Sequence, residues 1–134
     1  MKNSGFNTIR QPRVARAEPA AIDVPVIVLT GERTASAAEI FVAALAKAKC
    51  ARIIGTQTCG CVLAIRARHN LPDGGVLDVS ELDYKTPAGE RLEGHGIQPE
   101  QMVVAHREDL YGNRDAALAD ALSQLTLLQS QPHR

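Results

Sequence analysis

The stretch that decides the fold runs Val24-Pro25-Val26-Ile27-Val28-Leu29 and continues, after a short polar turn, as Thr34-Ala35-Ser36-Ala37-Ala38-Glu39-Ile40. The uninterrupted apolar, β-branched run predicts a strand that is buried on both faces, as in a parallel sheet. The second segment predicts a helix that begins at a serine. A serine at a strand-to-helix turn lies at the positive end of a helix, where a fold can present a nucleophilic hydroxyl.

The neighbouring segments extend this pair into an α/β fold. A helix over residues 35–48 and a strand over residues 52–55 complete a βαβ unit. The turn Pro72-Asp73-Gly74-Gly75 predicts an antiparallel hairpin portion between strands at 61–67 and 76–84, with a bulge in the second, and a last strand follows at 101–105. The first helix has a predicted apolar face of Ile40, Phe41, Ala44, Leu45 and Ala48. A C-terminal helix has a predicted apolar stripe of Leu118, Ala121, Leu122, Leu125 and Leu128. Asn113 or Asp115 is predicted to cap this second helix.

Composition favours one soluble globular domain with no nucleic-acid or membrane partner. The 134 residues are 45% hydrophobic, and 15 Lys and Arg balance 15 Asp and Glu, which disfavours a polyanionic partner. No apolar run has the length needed for membrane insertion, and the first twenty residues do not have the pattern of a secretory signal. Residues 1–22 are predicted to be an N-terminal arm or loop that precedes a domain over residues 23–130.

The three cysteines predict no structural framework. Cys50, Cys59 and Cys61 include one C-x-C pair, which is neither a typical disulfide framework nor the spacing of a zinc site. We expect free thiols in a reducing compartment, no metal and no cofactor. Cys61 itself is expected to be a small buried side chain, because no cation that would activate its thiol adjoins it in sequence.

Ser36 has two interpretations. Ser36-Ala37-Ala38-Glu39 fits the capping box, in which the serine side chain and the glutamate satisfy orphan N–H groups at the start of a helix. As a nucleophile, Ser36 would instead need an adjacent base and N–H donors for an oxyanion, and the Ala37 N–H is a candidate donor. The local pattern alone favours the cap.

A resemblance to a known family favours the interpretation of Ser36 as a nucleophile over that of a helix cap. It rests on five ordered blocks, which are residues 24–40, Ala51-Arg52-Ile53-Ile54-Gly55-Thr56-Gln57-Thr58-Cys59-Gly60, Leu71-Pro72-Asp73-Gly74-Gly75, Tyr84-Lys85-Thr86-Pro87-Ala88-Gly89 and Gly94-His95-Gly96-Ile97-Gln98-Pro99-Glu100. With these blocks, the chain resembles the tail-specific or carboxy-terminal processing serine peptidases, which have a Clp-protease/crotonase-like core, from about residue 23 to residue 104. The resemblance implies that Ser36 is the nucleophile and that the substrate is a polypeptide.

The departures from the family pattern concern the general base. One branch of the family has a catalytic lysine directly after the glycine of the T-x-G turn, and this chain has Cys61 there. Lys47 and Lys49 lie about three helical turns from Ser36, too far to replace it. A second branch, similar to the tricorn core peptidases, uses an upstream histidine oriented with help from a glutamate. That glutamate lies just before an exit motif, which here is the block at residues 94–100, and Glu93 occupies a similar position.

The four histidines do not supply an obvious base. His95 lies in the exit motif and can approach Glu93, whereas His69, His106 and His133 are predicted in loops or tails. The resemblance therefore implies the C-terminal half of a catalytic core, with exposed apolar surface where an N-terminal half or a second copy would dock.

Two functions follow from these residues and from the resemblance. The first is a serine-type peptidase domain, incomplete or inactive as an isolated chain, in which Ser36 attacks, Ala37 donates to the oxyanion and Glu93 orients a base supplied from elsewhere. The alternative is a non-catalytic peptidase-like module for binding or assembly. An acyl-CoA enzyme of the related crotonase fold is disfavoured, because no cofactor pocket is evident. The sequence assigns no compartment, although relatives are often periplasmic or exported.

Overall fold

A computed structural model describes residues 24–86 and 88–129, and it has the predicted mixed α/β architecture. In chain order the elements are β1 Ile27–Thr30, α1 Ala37–Ala48, β2 Arg52–Gly55, β3 Ala64–Asn70, β4 Val76–Leu82, β5 Gln101–Met102, α2 Arg107–Tyr111 and α3 Ala116–Gln129. The predicted arm at residues 1–22 lies outside the described residues.

The core of the fold is a three-stranded parallel sheet in the order β1-β2-β5. The central strand β2 contributes Ile53 and Ile54, each only 1% exposed, and α1 and α3 both pack against it. The βαβ unit is therefore confirmed. The expectation that β1 is buried on both faces is wrong: Leu29 is exposed, because β1 lies at the edge of the described sheet.

The buried face of α1 differs from the predicted one. Phe41 is 62% exposed and Ala44 and Ala48 are also exposed, while Val42 and Glu39 are buried. The apolar spacing misplaced the face, because the buried side of α1 includes the charged Glu39, which a count of apolar residues leaves out. In α3 the prediction holds for Ala121, which is buried, but Leu118 and Leu122 of the stripe are exposed. Asp115 caps α3, since its Oδ1 accepts the Leu118 N–H at 2.9 Å.

The antiparallel portion is a two-stranded hairpin of β3 and β4 beside the parallel sheet. Its register shifts twice: β4 has an extra residue between the partners of Ala64 and Ile65, and β3 has one between Ile65 and Ala67. The bulge predicted in the second strand is therefore present, and β3 has a further irregularity. The predicted turn is present, with the Gly75 N–H bound to Asp73 Oδ1 at 2.9 Å. Exposed apolar side chains line this hairpin, among them Ile65, Val76, Leu77 and Val79. The prediction of exposed apolar surface is thus met in the described residues.

Candidate active site

The turn between β1 and α1 holds Ser36 in a conformation that non-glycine residues rarely adopt. Its φ is 57° and its ψ is −125°, and the side chain is exposed. A serine at positive φ is strained, and such strain clusters at functional sites because the surrounding structure must enforce it. The enforcing contact is the Ser36 N–H, which donates to the Cys61 carbonyl oxygen at 2.9 Å.

The capping box is present, but it leaves the Ser36 hydroxyl available. Its glutamate half is a hydrogen bond of 3.1 Å from the Ser36 N–H to Glu39 Oε2. In its serine half the Ser36 side chain faces the Glu39 N–H but accepts no hydrogen bond of ordinary geometry there. The first N–H of the helix, that of Ala37, has no acceptor among the described residues. An exposed hydroxyl therefore lies one residue before an unpaired N–H.

Glu39 is the organising residue of this region. It is completely buried, yet the described residues place no cation on its carboxylate. Besides Ser36, its donors all come from the loop after β2: the Thr58 hydroxyl at 2.5 Å, the Gly60 N–H at 2.7 Å and the Cys61 N–H at 2.9 Å. Burial raises the pKa of the Glu39 carboxyl, but these hydrogen bonds outweigh it and hold the pKa below its ordinary value of 4.5. Glu39 therefore stays ionised and fixes the loop against the serine turn.

A second turn closes over this loop from the other side. The Gly94 N–H donates to the Gly60 carbonyl oxygen at 2.8 Å, and the Ile97 N–H donates to Thr58 Oγ1 at 2.7 Å. Gly60 has a φ of 70°, and a Cβ there would lie 2.7 Å from the Gly96 nitrogen. Only glycine fits such a close backbone approach. The segments around Ser36, Gly60 and Gly96 thus form one interlocked unit.

The cysteines differ from what their spacing predicted. Cys59 and Cys61 form a disulfide and both are exposed, so the expectations of free thiols and of a buried Cys61 are wrong for this pair. The physical reason is the turn at Gly60, whose φ of 70° brings the Cα atoms of the two cysteines to 5.2 Å, within the range that a disulfide can bridge. Cys50 is a free, exposed thiol, as predicted.

Glu93 lies against the same loop. Its Oε2 accepts the Val62 N–H at 2.7 Å and the Leu63 N–H at 3.0 Å, directly after Cys61. The carboxylate is half-buried and its other oxygen makes no hydrogen bond with the described residues. His95 does not bind this carboxylate, since its Nδ1 lies 2.9 Å from the Glu93 backbone oxygen.

The remaining basic candidates lie apart from Ser36. Lys47 and His95 line a surface pocket of about 450 Å³ beside α1 that does not include Ser36. His106 is the residue before α2, and His133 lies outside the described residues. His69 lies in β3 and not in a loop, so that prediction is wrong. Among the described residues, neither His95, His106 nor a lysine is hydrogen-bonded to the Ser36 hydroxyl.

Sequence reasoning missed most of the polar network. It identified the Ser36–Glu39 pair from the capping-box pattern but not the donors from Thr58, Gly60 and Cys61. The T-x-G turn was the available signal, because a glycine after an apolar strand indicates close backbone approach. The described residues contain no group of three or more His, Cys, Asp or Glu side chains that could hold a metal ion. None of their helices is long and apolar enough to cross a membrane.

An exposed, strained serine between a strand and a helix is the kind of turn on which several classes of serine hydrolase carry their nucleophile. Comparison of the sequence with known families assigns the chain to a narrower class. The model of Peptidase family S41 matches residues 3–103, about three quarters of the chain, and the chain belongs to this family. The resemblance to carboxy-terminal processing peptidases is thereby confirmed.

Individual relatives agree with this assignment. A probable CtpA-like serine protease of Staphylococcus haemolyticus (strain JCSC1435) is 32% identical over 85 residues, which are 63% of this chain and 17% of the relative. A carboxy-terminal-processing protease of Bartonella bacilliformis (strain ATCC 35685 / KC583 / Herrer 020/F12,63) is 34% identical over 97 residues, 72% of this chain and 22% of the relative. The crystal structure of the tricorn protease matches with a TM-score of 0.72 and 27% identity, over 79% of this chain and 11% of that one. The chain spans about a fifth of the length of these curated relatives.

Proposed function

We propose that this chain is the nucleophile-bearing part of a serine-type peptidase that acts on polypeptides. The observation that carries the proposal is the backbone of Ser36, which is exposed at φ 57° one residue before the unpaired Ala37 N–H. Strain of this kind costs about 1–3 kcal/mol and persists only where the surroundings enforce it. A serine that served only as a helix cap would not need it, since caps adopt extended backbone.

The proposed chemistry assigns a role to each group. Ser36 Oγ attacks the scissile carbonyl carbon, its proton passes to a general base, and the Ala37 N–H donates to the oxyanion that forms. The amine leaves with a proton, and water then hydrolyses the acyl-serine ester. Membership of Peptidase family S41 supports a polypeptide substrate.

The base is proposed to come from outside the described residues. Cys61 stands where one branch of the family has its lysine, and as a disulfide it cannot accept the proton. Glu93 supports the histidine branch instead, because two amides fix one of its oxygens while the other is left without a partner in the described chain. A histidine from another segment of a longer protein, or from a second copy of this chain, would bind there and be oriented towards Ser36.

A fluorophosphonate probe tests this proposal by intact mass. The full chain is expected to gain one adduct that Ser36→Ala abolishes. Ser123→Ala is the matched control, because Ser123 lies in α3 and donates to the Ala119 carbonyl oxygen. Labelling that accelerates with protein concentration would indicate a base from a second copy. No adduct at any concentration, or an adduct that Ser36→Ala retains, would reject Ser36 as a nucleophile activated in this chain.

A second candidate function is a non-catalytic binding or assembly module. It is favoured by the absence of a base at Ser36 in the described residues and by the exposed apolar side chains of the hairpin, such as Ile65 and Val76. This alternative predicts no adduct, together with concentration-dependent association that Ile65→Thr weakens. The fluorophosphonate adduct separates the two candidates, and sedimentation velocity of wild type and Ile65→Thr tests the association.

A further inference from the structure

The Cys59–Cys61 disulfide lies on the loop that holds the candidate nucleophile. The Cys59 N–H donates to the Thr34 carbonyl oxygen at 2.9 Å, and the Cys61 carbonyl oxygen accepts the Ser36 N–H at 2.9 Å. The two cysteines therefore bind the chain on both sides of the serine turn. Between them, Gly60 donates to the buried Glu39 carboxylate at 2.7 Å.

Both cysteines are exposed, so a reductant can reach the bond between them. A small thiol or a redox protein must place its own sulfur against one of the two, and burial would prevent this. Cys50, the remaining thiol, is exposed near the C-terminal end of α1, and its Sγ donates to the Ala48 carbonyl oxygen. It offers a matched internal control that is remote from the loop.

We propose that Cys59–Cys61 is a thiol–disulfide exchange site for a dithiol reductant, and that its oxidised form fixes the loop that holds Ser36. The part concerning Ser36 reactivity rests on the proposed function, and the part concerning loop order does not. Reduction would leave the loop held by hydrogen bonds alone. Gly60, at a φ of 70°, then has access to many other backbone conformations.

The exchange is a balanced two-electron reaction. A thiolate of the reductant attacks one cysteine sulfur, breaks the S–S bond and forms a mixed disulfide with the protein. The second thiol of the reductant then displaces that cysteine and closes the reductant into its own disulfide. Cys59 and Cys61 end as two thiols, with the protons of the dithiol, while the dithiol loses two electrons.

The first experiment does not depend on peptidase activity. The full chain is alkylated with N-ethylmaleimide before and after dithiothreitol, and the added mass is expected to rise from one label to three. Amide hydrogen exchange is then compared between the oxidised and reduced chains in a Cys50→Ser background. Exchange over residues 57–63 is expected to be about tenfold faster in the reduced chain, with the hairpin turn at 71–75 unchanged. Three labels before reduction, or unchanged exchange, would overturn the proposal.

The second experiment measures Ser36. Fluorophosphonate labelling is expected to slow about tenfold on reduction, because small displacements of a reacting group reduce rates by such factors. The Cys59→Ser/Cys61→Ser double variant should match the reduced chain, and Cys50→Ser the oxidised one. Because reduced wild-type chain is measured as well, a double variant that fails to fold does not affect the result. Equal rates in both states would refute the effect on Ser36. No labelling in either state would reject Ser36 as a nucleophile activated in this chain and leave the exchange experiment decisive.

Discussion

The N-termini of α1 and α2 share the same capping arrangement, but the other partners of the capping carboxylate differ. Each helix has an acid at its third position whose carboxylate accepts the N–H of the residue before the helix. Glu39 accepts from Ser36 at 3.1 Å, and Asp109 accepts from His106 at 2.9 Å. His106 has an ordinary extended backbone with a φ of −92°, whereas Ser36 is strained at 57°.

The remaining partners of the two acids explain this difference. Asp109 is completed by the guanidinium of Arg114, five residues later, so the start of α2 is satisfied locally. Glu39 is completed by a hydroxyl and two amides from the loop that follows the next strand. The start of α1 therefore depends on tertiary structure. A local ion pair can only cap a helix, but donors from a distant loop can also impose an unusual conformation on the residue that is capped.

The largest effect is expected from Glu39→Gln. An amide faces N–H donors with a donor of its own, and hydrogen bonds to a charged group contribute about 1.5–3 kcal/mol each, so we expect a loss of about 4 kcal/mol or more. Urea unfolding measures this loss, and Ser36 labelling should slow at least about tenfold for the same reason. Asp109→Asn is the control, with a smaller loss of stability and unchanged labelling. Equal effects of the two variants on labelling would contradict the distinction drawn between the helices.

Gly60→Ala is expected to have the next largest effect. Its Cβ would lie 2.7 Å from the Gly96 nitrogen and 2.8 Å from the His95 nitrogen, both of them backbone atoms. Gly94→Ala is the matched control, because Gly94 also has positive φ but its Cβ would meet nothing within 4 Å. Positive φ alone costs about 1–2 kcal/mol, and the overpacking at Gly60 adds about 1–3 kcal/mol. Equal unfolding free energies for the two variants would show that the loop at Gly60 moves away from the turn at residues 94–96 without cost.

A smaller effect is expected from the packing face of α1. Val42→Ala removes a buried side chain that is 3% exposed, and should cost about 2 kcal/mol. Phe41→Ser changes a larger but exposed side chain and should stay within about 0.5 kcal/mol. Thermal or urea unfolding distinguishes the two. A larger loss for Phe41→Ser would mean that α1 packs through the face predicted from its apolar spacing, which would require association with another chain.

The smallest effect concerns pH, because protonation changes a charge and leaves the side chain in place. Hydrogen bonds lower the pKa of Glu39 below 4.5, so its contribution to stability is complete above that pH and is lost as the pH falls through the lower folded pKa. The pKa of Asp109 is lowered by the His106 N–H and by Arg114, with the same sign. Urea midpoints at decreasing pH should fall less steeply in Glu39→Gln and in Asp109→Asn than in wild type. If the urea midpoint of either variant fell with pH as steeply as that of wild type, the role of that carboxylate would be contradicted.

The sequence predicted the elements of this fold better than their contacts. Strand–helix–strand periodicity identified β1, α1 and β2, and the turn Pro72-Asp73-Gly74-Gly75 identified the hairpin, because both signals are local. The five-residue α2 is too short to show a period. The burial of Glu39 could not be inferred from periodicity, because it depends on donors 19 to 22 residues further along the chain.

The candidate site was predictable to a similar extent. The capping box identified Ser36 and Glu39 as neighbours, and the family resemblance singled out Ser36, Ala37, Cys61 and Glu93. Pattern alone did not reveal that the Cys61 backbone holds the serine while its side chain is bonded to Cys59. The roles of these residues in catalysis stay predictions until the labelling experiments are done.

The interlocking of three distant segments also determines when the serine turn can form. The Ile97 N–H binds Thr58, and Thr58 binds Glu39, so the conformation of Ser36 relies on residues about sixty positions later. Contacts of such separation form late, after the entropy of closing a long loop has been overcome. During synthesis, we expect a chain that has emerged only as far as α1 to hold Ser36 in a relaxed backbone. The strained geometry of Ser36 is then expected only after residues 94–97 have joined the fold.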